Sequence, residues 1–209
     1  MYEVRQCTHP DCRLRMPIDP AVHSGAYCPL CGLPMTRAAE SFQHRGPENR
    51  CIHPKRQINV LLDNIRSAHN TGAIFRTADG VGAQHIYLCG ITPNPAKHPA
   101  LQKTALGAEH TLPWSAHLNA LDLAKELHTR GYCILALETT PESQPLFSVD
   151  LSICSAQPLV LVVGNEQAGV DPGLLEIADL VLSVPMSGLK TSLNVAVTFG
   201  IAVYWLAFS

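Results

Sequence analysis

The chain is 209 residues long, 46% hydrophobic and 15% charged, with a net charge of −2. Such apolar content excludes a disordered chain and suffices for one good-sized core plus a small appendage. The near-neutral balance offers no bulk argument for nucleic-acid binding, but the charge is uneven: residues 1–57 hold eight Lys/Arg against five Asp/Glu, and residues 58–209 hold seven against twelve. A basic head on an acidic body is a pattern in which the head would meet an anion.

From the N-terminus, MYEVRQCTHPD has no apolar stretch of the kind a secretory signal needs, so a soluble, cytoplasmic protein without membrane attachment is expected. Four of the eight cysteines fall early, as Cys7-x4-Cys12 and Cys28-x2-Cys31. Two such pairs with this separation read as a zinc ribbon. In CPLCG, Gly32 permits the tight turn of a chelating knuckle. A segment of about 40 residues with few large apolar side chains folds poorly without a staple. Disulfides are the rival, disfavoured in a cytoplasmic chain. Cys7, Cys12, Cys28 and Cys31 are therefore the candidate ligands of a structural zinc. The x4 spacing is loose, however, and His9 lies inside it. CTHP at 7–10 also recurs as CIHP at 51–54, which keeps Cys51 and His53 as alternatives for one ligand. The zinc-ribbon-like domain is expected over residues 1–36, and the polar, basic stretch 37–57, with its two prolines, is expected as a linker.

INVLLD at 58–63 reads as an inner strand, and NTGAIFRTADGV at 70–81 as a helix following a turn at 68–70. HIYLCG at 85–90 is the next strand. A short helix is expected over 99–108, ended by Gly107, then a short strand HTLPW at 110–114. Leu118 to Arg130 reads as an amphipathic helix closed by Gly131. YCILALET at 132–139 and PLVLVVGNE at 158–166 read as strands. Pro172 opens a helix to Ala178, LVLSVPM at 180–186 is the last strand, and Ser192 to Phe208 the last helix. That final apolar run is shorter than the ~20 residues of a bilayer span and is expected in the core. Strands alternating with helices predict an α/β fold with a largely parallel sheet. Cys89, Cys133 and Cys154 lie among apolar neighbours and are expected as inert buried thiols. Ligands bind such sheets where strands give out at their carboxyl ends, so GNE at 164–166 and PMSG at 185–188 mark a shared cleft. No G-x-G-x-x-G occurs, which removes the dinucleotide fingerprint.

NTGAIFRTADGVG at 70–82, VVGNEQAGV at 162–170 and VPMSGLKTSLNVAVTFGIA at 184–202 together resemble, in order and spacing, the three motifs of the SpoU–TrmH RNA methyltransferases. KTALGAEH at 103–110 is similar to the segment preceding that family's middle motif. The resemblance covers residues 58–208 and leaves the cysteine-rich head outside. It implies a parallel α/β sheet with a C-terminal trefoil knot, a homodimer, and transfer of a methyl group from S-adenosyl-L-methionine to a ribose 2′-hydroxyl of tRNA or rRNA.

Carried over position by position, the resemblance makes Asn70, Arg76, Glu166, Ser192 and Asn194 the candidate catalytic residues. It links Arg76 to activation of the 2′-hydroxyl. A guanidinium normally stays protonated, so a phosphate-clamping, hydroxyl-orienting role stands beside that of a base. Asn70 could equally cap a helix, as could Ser192. Glu166 could be a plain turn carboxylate. Main chain at Gly164, Val184, Met186 and Leu193 is expected to cradle the cofactor, with Leu137 and Thr139 completing the cleft. Absence of a side chain at Gly164 would let the backbone approach the cofactor. Residues Val195, Val197, Ile201, Val203, Trp205 and Leu206 are the candidate dimer surface. The head's arginines and lysines are candidates for RNA phosphates. Docking of the head to a protein is the alternative, as is a non-catalytic RNA-binding or assembly role for the whole chain.

Overall fold

The structure, a computed structural model, describes residues 2–41, 53–154 and 157–209. The chain forms two compact units, Met1–Cys51 and Ile52–Ser209.

In the first unit, the head, strand β1 (Glu3–Cys7) pairs antiparallel with β2 (Arg15–Ile18) and β3 (Met35–Glu40), in the order β2-β1-β3. β3 carries the sheet into the stretch expected as a linker: Arg37 lies opposite Arg5 and Ala39 opposite Val4. Glu3 makes this register tolerable, since its carboxylate takes Arg5 Nε at 2.5 Å and Arg37 Nε at 3.2 Å. Cys51, one of the alternative ligands, lies outside the described residues.

In the second unit, the body, seven strands form one sheet: β4 (Ile58–Asp63), β5 (His85–Cys89), β6 (Trp114–His117), β7 (Cys133–Leu137), β8 (Gln144–Pro145), β9 (Leu159–Val163) and β10 (Leu180–Ser183). Their order is β6-β5-β4-β9-β7-β10-β8, and every pairing is parallel. β4, β7 and β9 are buried along their whole length; β7 and β9 are unbroken apolar runs, as strands covered on both faces require, while β4 also buries Asn59, which donates to Leu159 O, and Asp63, which accepts from Asp171 N. Alternate residues serve two cores. Leu62, Leu135 and Leu161 point to one face, with Phe75 and Phe199, while Leu61, Ile134 and Val162 point to the other, with Leu127 and Leu174.

The helices are α1 (Ala68–Val81), α2 (Pro99–Ala105), α3 (Ala108–Thr111), α4 (Ala120–Thr129), α5 (Pro172–Ile177) and α6 (Val195–Phe208). Several differ from the sequence expectation for local reasons. α1 begins two residues early because Ser67 caps it, accepting from Asn70 N. Asn70 is therefore not the cap. The expected helix 99–108 is two helices, with Gly107 (φ 96°) opening the second rather than closing the first. Residues 110–111 are helical, so the strand starts at Trp114. The last helix starts at Val195, capped by Asn194, which leaves Ser192 in the preceding loop. No helix among the described residues is long and apolar enough to cross a membrane.

Cys133, the first residue of β7, and Cys154, in a single 3-10 turn over Ser152–Cys154, are brought side by side with Cα atoms 5.8 Å apart, a pair able to form a disulfide on oxidation. This corrects the expectation of two inert thiols: the connection from β7 to β9 folds back over the start of its own strand, within bridging distance. Cys89 is a buried free thiol as expected, with burial and the neighbouring Asp63 carboxyl pushing it up to about 12.

Candidate functional site

All the body's strands run the same way, so the loops leaving β7, β9 and β10 converge at one edge of the sheet. A cleft of about 360 Å³ opens there. Its walls are Leu137 to Thr139 after β7, Val163 to Gln167 after β9, Leu182 to Val184 with Met186 after β10, and Thr191 to Val195 leading into α6. Each residue expected to hold a cofactor (Gly164, Val184, Met186, Leu193, Leu137 and Thr139) therefore lines this one space. Its size is of the order that a small-molecule site needs.

The loop after β9 is a tight hairpin. Asn165 N donates to Gly169 O at 3.0 Å, and Gly169 N donates back to Asn165 O at 2.9 Å. Gly169 has φ 78°, a conformation that favours glycine. A Cβ on Gly164 would stand 2.3 Å from Val170 N. The space that Gly164 vacates is thus filled by the far side of its own hairpin. Glu138 pins this hairpin, accepting from Val170 N at 3.0 Å and Thr139 N at 2.9 Å, while its own N–H donates to Leu182 O at 2.9 Å. One residue thus ties together the ends of β7, β9 and β10. Sequence reading bracketed it with Leu137 and Thr139 and passed over it; the available signal was a carboxylate directly after a buried apolar run.

At the cleft's mouth, three of the expected catalytic residues form a hydrogen-bonded chain. Asn194 Nδ2 donates to Asn70 Oδ1 at 3.0 Å, and Asn70 Nδ2 donates to Glu166 Oε1 at 2.9 Å. Asn194 Oδ1 is occupied by Ala196 N and Val197 N, so the cap of α6 also orients its amide toward Asn70. Glu166 sits over the start of α1, accepting from Arg66 N at 2.8 Å and Ser67 N at 3.1 Å. Partial burial pushes its carboxyl up, but the donors from Arg66, Asn70 and Ser67 outweigh this and hold it below the usual carboxylate range. Ser192 lines the cleft. Behind the mouth, Asn165 Nδ2 donates to Asn64 O at 2.7 Å, and Asp63 accepts from Asp171 N at 3.0 Å. Burial raises the Asp63 carboxyl.

Arg76 is not brought to this cleft. Six residues along α1 from Asn70, its side chain is exposed and makes no hydrogen bond or ion pair with any described residue. It lies where α1 crosses α6: a Cβ on Gly80 would stand 3.1 Å from Tyr204 Oη. On α6, Val197 and Tyr204 are exposed, with Ile201 and Phe208 partly so, making an uncovered apolar stripe at helical spacing. Of the residues expected to form a dimer surface, Val203 and Leu206 are instead fully buried, and Val195 and Trp205 pack partly against the core.

In the head, the thiols of Cys7, Cys12, Cys28 and Cys31 lie within 4.8 Å of one another. The Sγ atoms of Cys7 and Cys31 are 3.4 Å apart, and those of Cys12 and Cys28 are 3.7 Å apart. Four thiolates around a tetrahedral Zn²⁺ stand about 3.8 Å from each other, so the donor set fits that metal. The knuckle is built as the sequence implies, with Gly32 at φ 74° and its N–H donating to Cys28 O at 2.9 Å. Burial opposes ionisation of Cys28, yet the N–H groups of Cys31 and Leu30 bring it down to about 7, whereas burial pushes Cys7 up to about 12.

The profile of the SpoU rRNA Methylase family matches residues 57–204. The chain belongs to this family. Among its curated relatives, it is 35% identical over 158 residues to a tRNA (guanosine(18)-2′-O)-methyltransferase of Aquifex aeolicus, covering 74% of this chain and 72% of the relative. It is 31% identical over 145 residues to the 23S rRNA (guanosine-2′-O-)-methyltransferase RlmB of Ralstonia nicotianae, covering 69% of this chain but only 56% of that one. Among solved structures, it superposes on an AdoMet-bound rRNA methyltransferase from Sinorhizobium meliloti with a TM-score of 0.65 at 31% identity, over 74% of this chain and 57% of that one. The A. aeolicus TrmH/SpoU tRNA modifying enzyme gives 0.64 at 34% identity, over 73% and 76%. The SpoU match stops short of the head.

Proposed function

We propose that this SpoU-family chain transfers a methyl group from S-adenosyl-L-methionine to the 2′-hydroxyl of a guanosine in tRNA or rRNA, as a cytoplasmic homodimer with a structural zinc in its head. The observation that carries the reading is the Asn194–Asn70–Glu166 chain at the mouth of the cleft. It unites residues from three motifs far apart in sequence.

The chemistry demands little of the protein except placement. When bound, the cofactor supplies an electrophilic methyl on a sulfonium. The ribose hydroxyl is a weak nucleophile that must be aimed and relieved of its proton. Glu166 is a poor base, because its two oxygens are filled by three donors and held ionised; its work is to fix Asn70 and the start of α1. The second N–H of the Asn70 and Asn194 amides, whose other atoms are engaged in the chain, and the Ser192 hydroxyl are then the groups left to orient a ribose. The knotted C-terminal crossing of the SpoU fold would give the main chain at Gly164, Val184, Met186 and Leu193 its shape around the cofactor, with Leu137 and Thr139 as the facing wall.

Arg76 enters through a second copy of the chain. A dimer across the α1–α6 stripe covers Val197, Ile201 and Tyr204 and delivers the guanidinium that one chain leaves outside its own cleft. There it clamps phosphate and orients the hydroxyl without needing to lose a proton.

The test is transfer from labelled S-adenosyl-L-methionine to total cellular RNA, followed by digestion to nucleosides. Label is expected as 2′-O-methylguanosine and is expected to vanish in Arg76→Ala. Label on a base would reject the ribose assignment, and failure to bind the cofactor at all would favour a non-catalytic role.

A further inference from the structure

The body's charge is divided along the chain. Between Asn64 and Ala108 it carries four Lys/Arg (Arg66, Arg76, Lys97 and Lys103) against one acid, Asp79; from Glu109 to Ser209 it carries three against ten. All four cations are exposed. None of them takes part in an ion pair among the described residues. Asp79 is occupied by Thr111 Oγ1 at 2.9 Å. Arg66 Nη1 donates to the neutral Gln167 Oε1, which leaves its charge uncompensated, whereas in the head Arg5 and Arg37 are ion-paired with Glu3 and Glu40.

The basic segment folds as one shoulder beside the cleft. Gly72 lets α2 approach α1 so closely that a Cβ there would stand 2.2 Å from Leu101 O. Thr104 Oγ1 donates to His69 O at 2.9 Å, which ties the helix carrying Lys103 to the start of α1. Arg66 and Asn70 lie at the same end of α1, and Arg66 N–H and Asn70 Nδ2 both donate to Glu166. At the far end, a turn closed by Lys97 N on Asn94 O at 3.2 Å holds Lys97 ahead of α2. Lys103 lies within α2 and Lys97 in the turn before it, six residues apart in sequence, so each is placed to meet its own phosphate.

We infer that the α1–α2 shoulder is a phosphate track that leads RNA to the cleft, through Lys97, Lys103, His69 and Arg66. The inference rests on the methyltransferase reading and adds the surface by which the substrate is gripped. Unpaired cations on one side of an otherwise acidic unit orient a polyanion as it approaches and hold it by counterion release, without reading bases. Phosphate contacts of this kind position a strand in the same way whichever RNA it belongs to.

The experiment measures the affinity of the full-length protein for unfractionated tRNA between about 50 and about 200 mM salt, comparing the wild type with Lys97→Gln/Lys103→Gln and Lys97→Ala/Lys103→Ala. Each double variant is expected to lower the slope of log Kd against log salt by about 1.5, with thermal unfolding and binding of S-adenosyl-L-methionine unchanged. An unchanged slope in a folded, cofactor-binding variant removes the track while leaving the methyltransferase reading intact. A wild type that binds no RNA at any of these salt concentrations removes both.

Discussion

Among the described residues of the head, Cys7, Ile18, Cys28 and Met35 are the buried apolar ones, and two of these four belong to the thiol cluster. In the body, three adjacent strands, β4, β9 and β7, are buried from end to end, with helices on both faces. The difference is one of what folding rests on. The body folds around a large apolar core, whereas the described head has almost none, and under the proposed zinc reading its four thiols supply the staple instead. The family's motifs all fall in the body, so the part that folds by burial is also the part that carries the site.

Stripping the metal should give the largest break in this comparison. With zinc chelated and its absence confirmed by elemental analysis, the amide resonances of residues 2–41 are expected to collapse to unfolded positions, while the body keeps its melting transition. A head that stays dispersed without metal would show that its three strands suffice. Next in size, Leu161→Ala in β9 removes a side chain with no exposed surface. It is expected to lower the body's stability by about 2–5 kcal/mol in denaturant titration and to leave the head's resonances unmoved. Loss of both together would mean that the two units fold as one.

The smallest effect concerns Glu166. Its carboxylate lies at the start of a helix, a placement that contributes about 1 kcal/mol, and Glu166→Gln should remove about that much at pH 7. Because the folded carboxyl is held below the unfolded range of about 4.3, its contribution is complete above that range. It fades as pH falls through the lower folded value. The stability gap between wild type and variant should therefore close in acid; a gap independent of pH would mean that charge at Glu166 is irrelevant.

Most of the fold is legible in the sequence because buried parallel strands write themselves as apolar runs; INVLLD matches β4 end for end. β8 escapes because two exposed residues at a sheet edge leave no pattern. The cap of α1 is misplaced because SAHN offers two good capping side chains, and only packing decides that Ser67 is the one used. Asn70, Glu166, Ser192 and Asn194 are legible through motif spacing. The position of Arg76 is not, since a motif lists residues without saying which side of a helix each one occupies. Glu138 is hidden for a different reason: its partners are the main-chain amides of Thr139 and Val170, which any sequence has.

The strand order also sets a timetable. β4 pairs with β5 at one edge, but its other neighbour is β9, about 100 residues later in the chain. During synthesis at roughly 5–20 residues per second, the growing protein holds an unpaired, largely apolar edge for several seconds before Leu159–Val163 emerges to close it. Such an edge is a template for wrong partners, and the pairing that relieves it is non-local and therefore slow. The same insertion of β9 builds the hairpin that carries Glu166 and one wall of the cleft, so a chain still at risk of aggregation is also a chain whose cleft is not yet assembled.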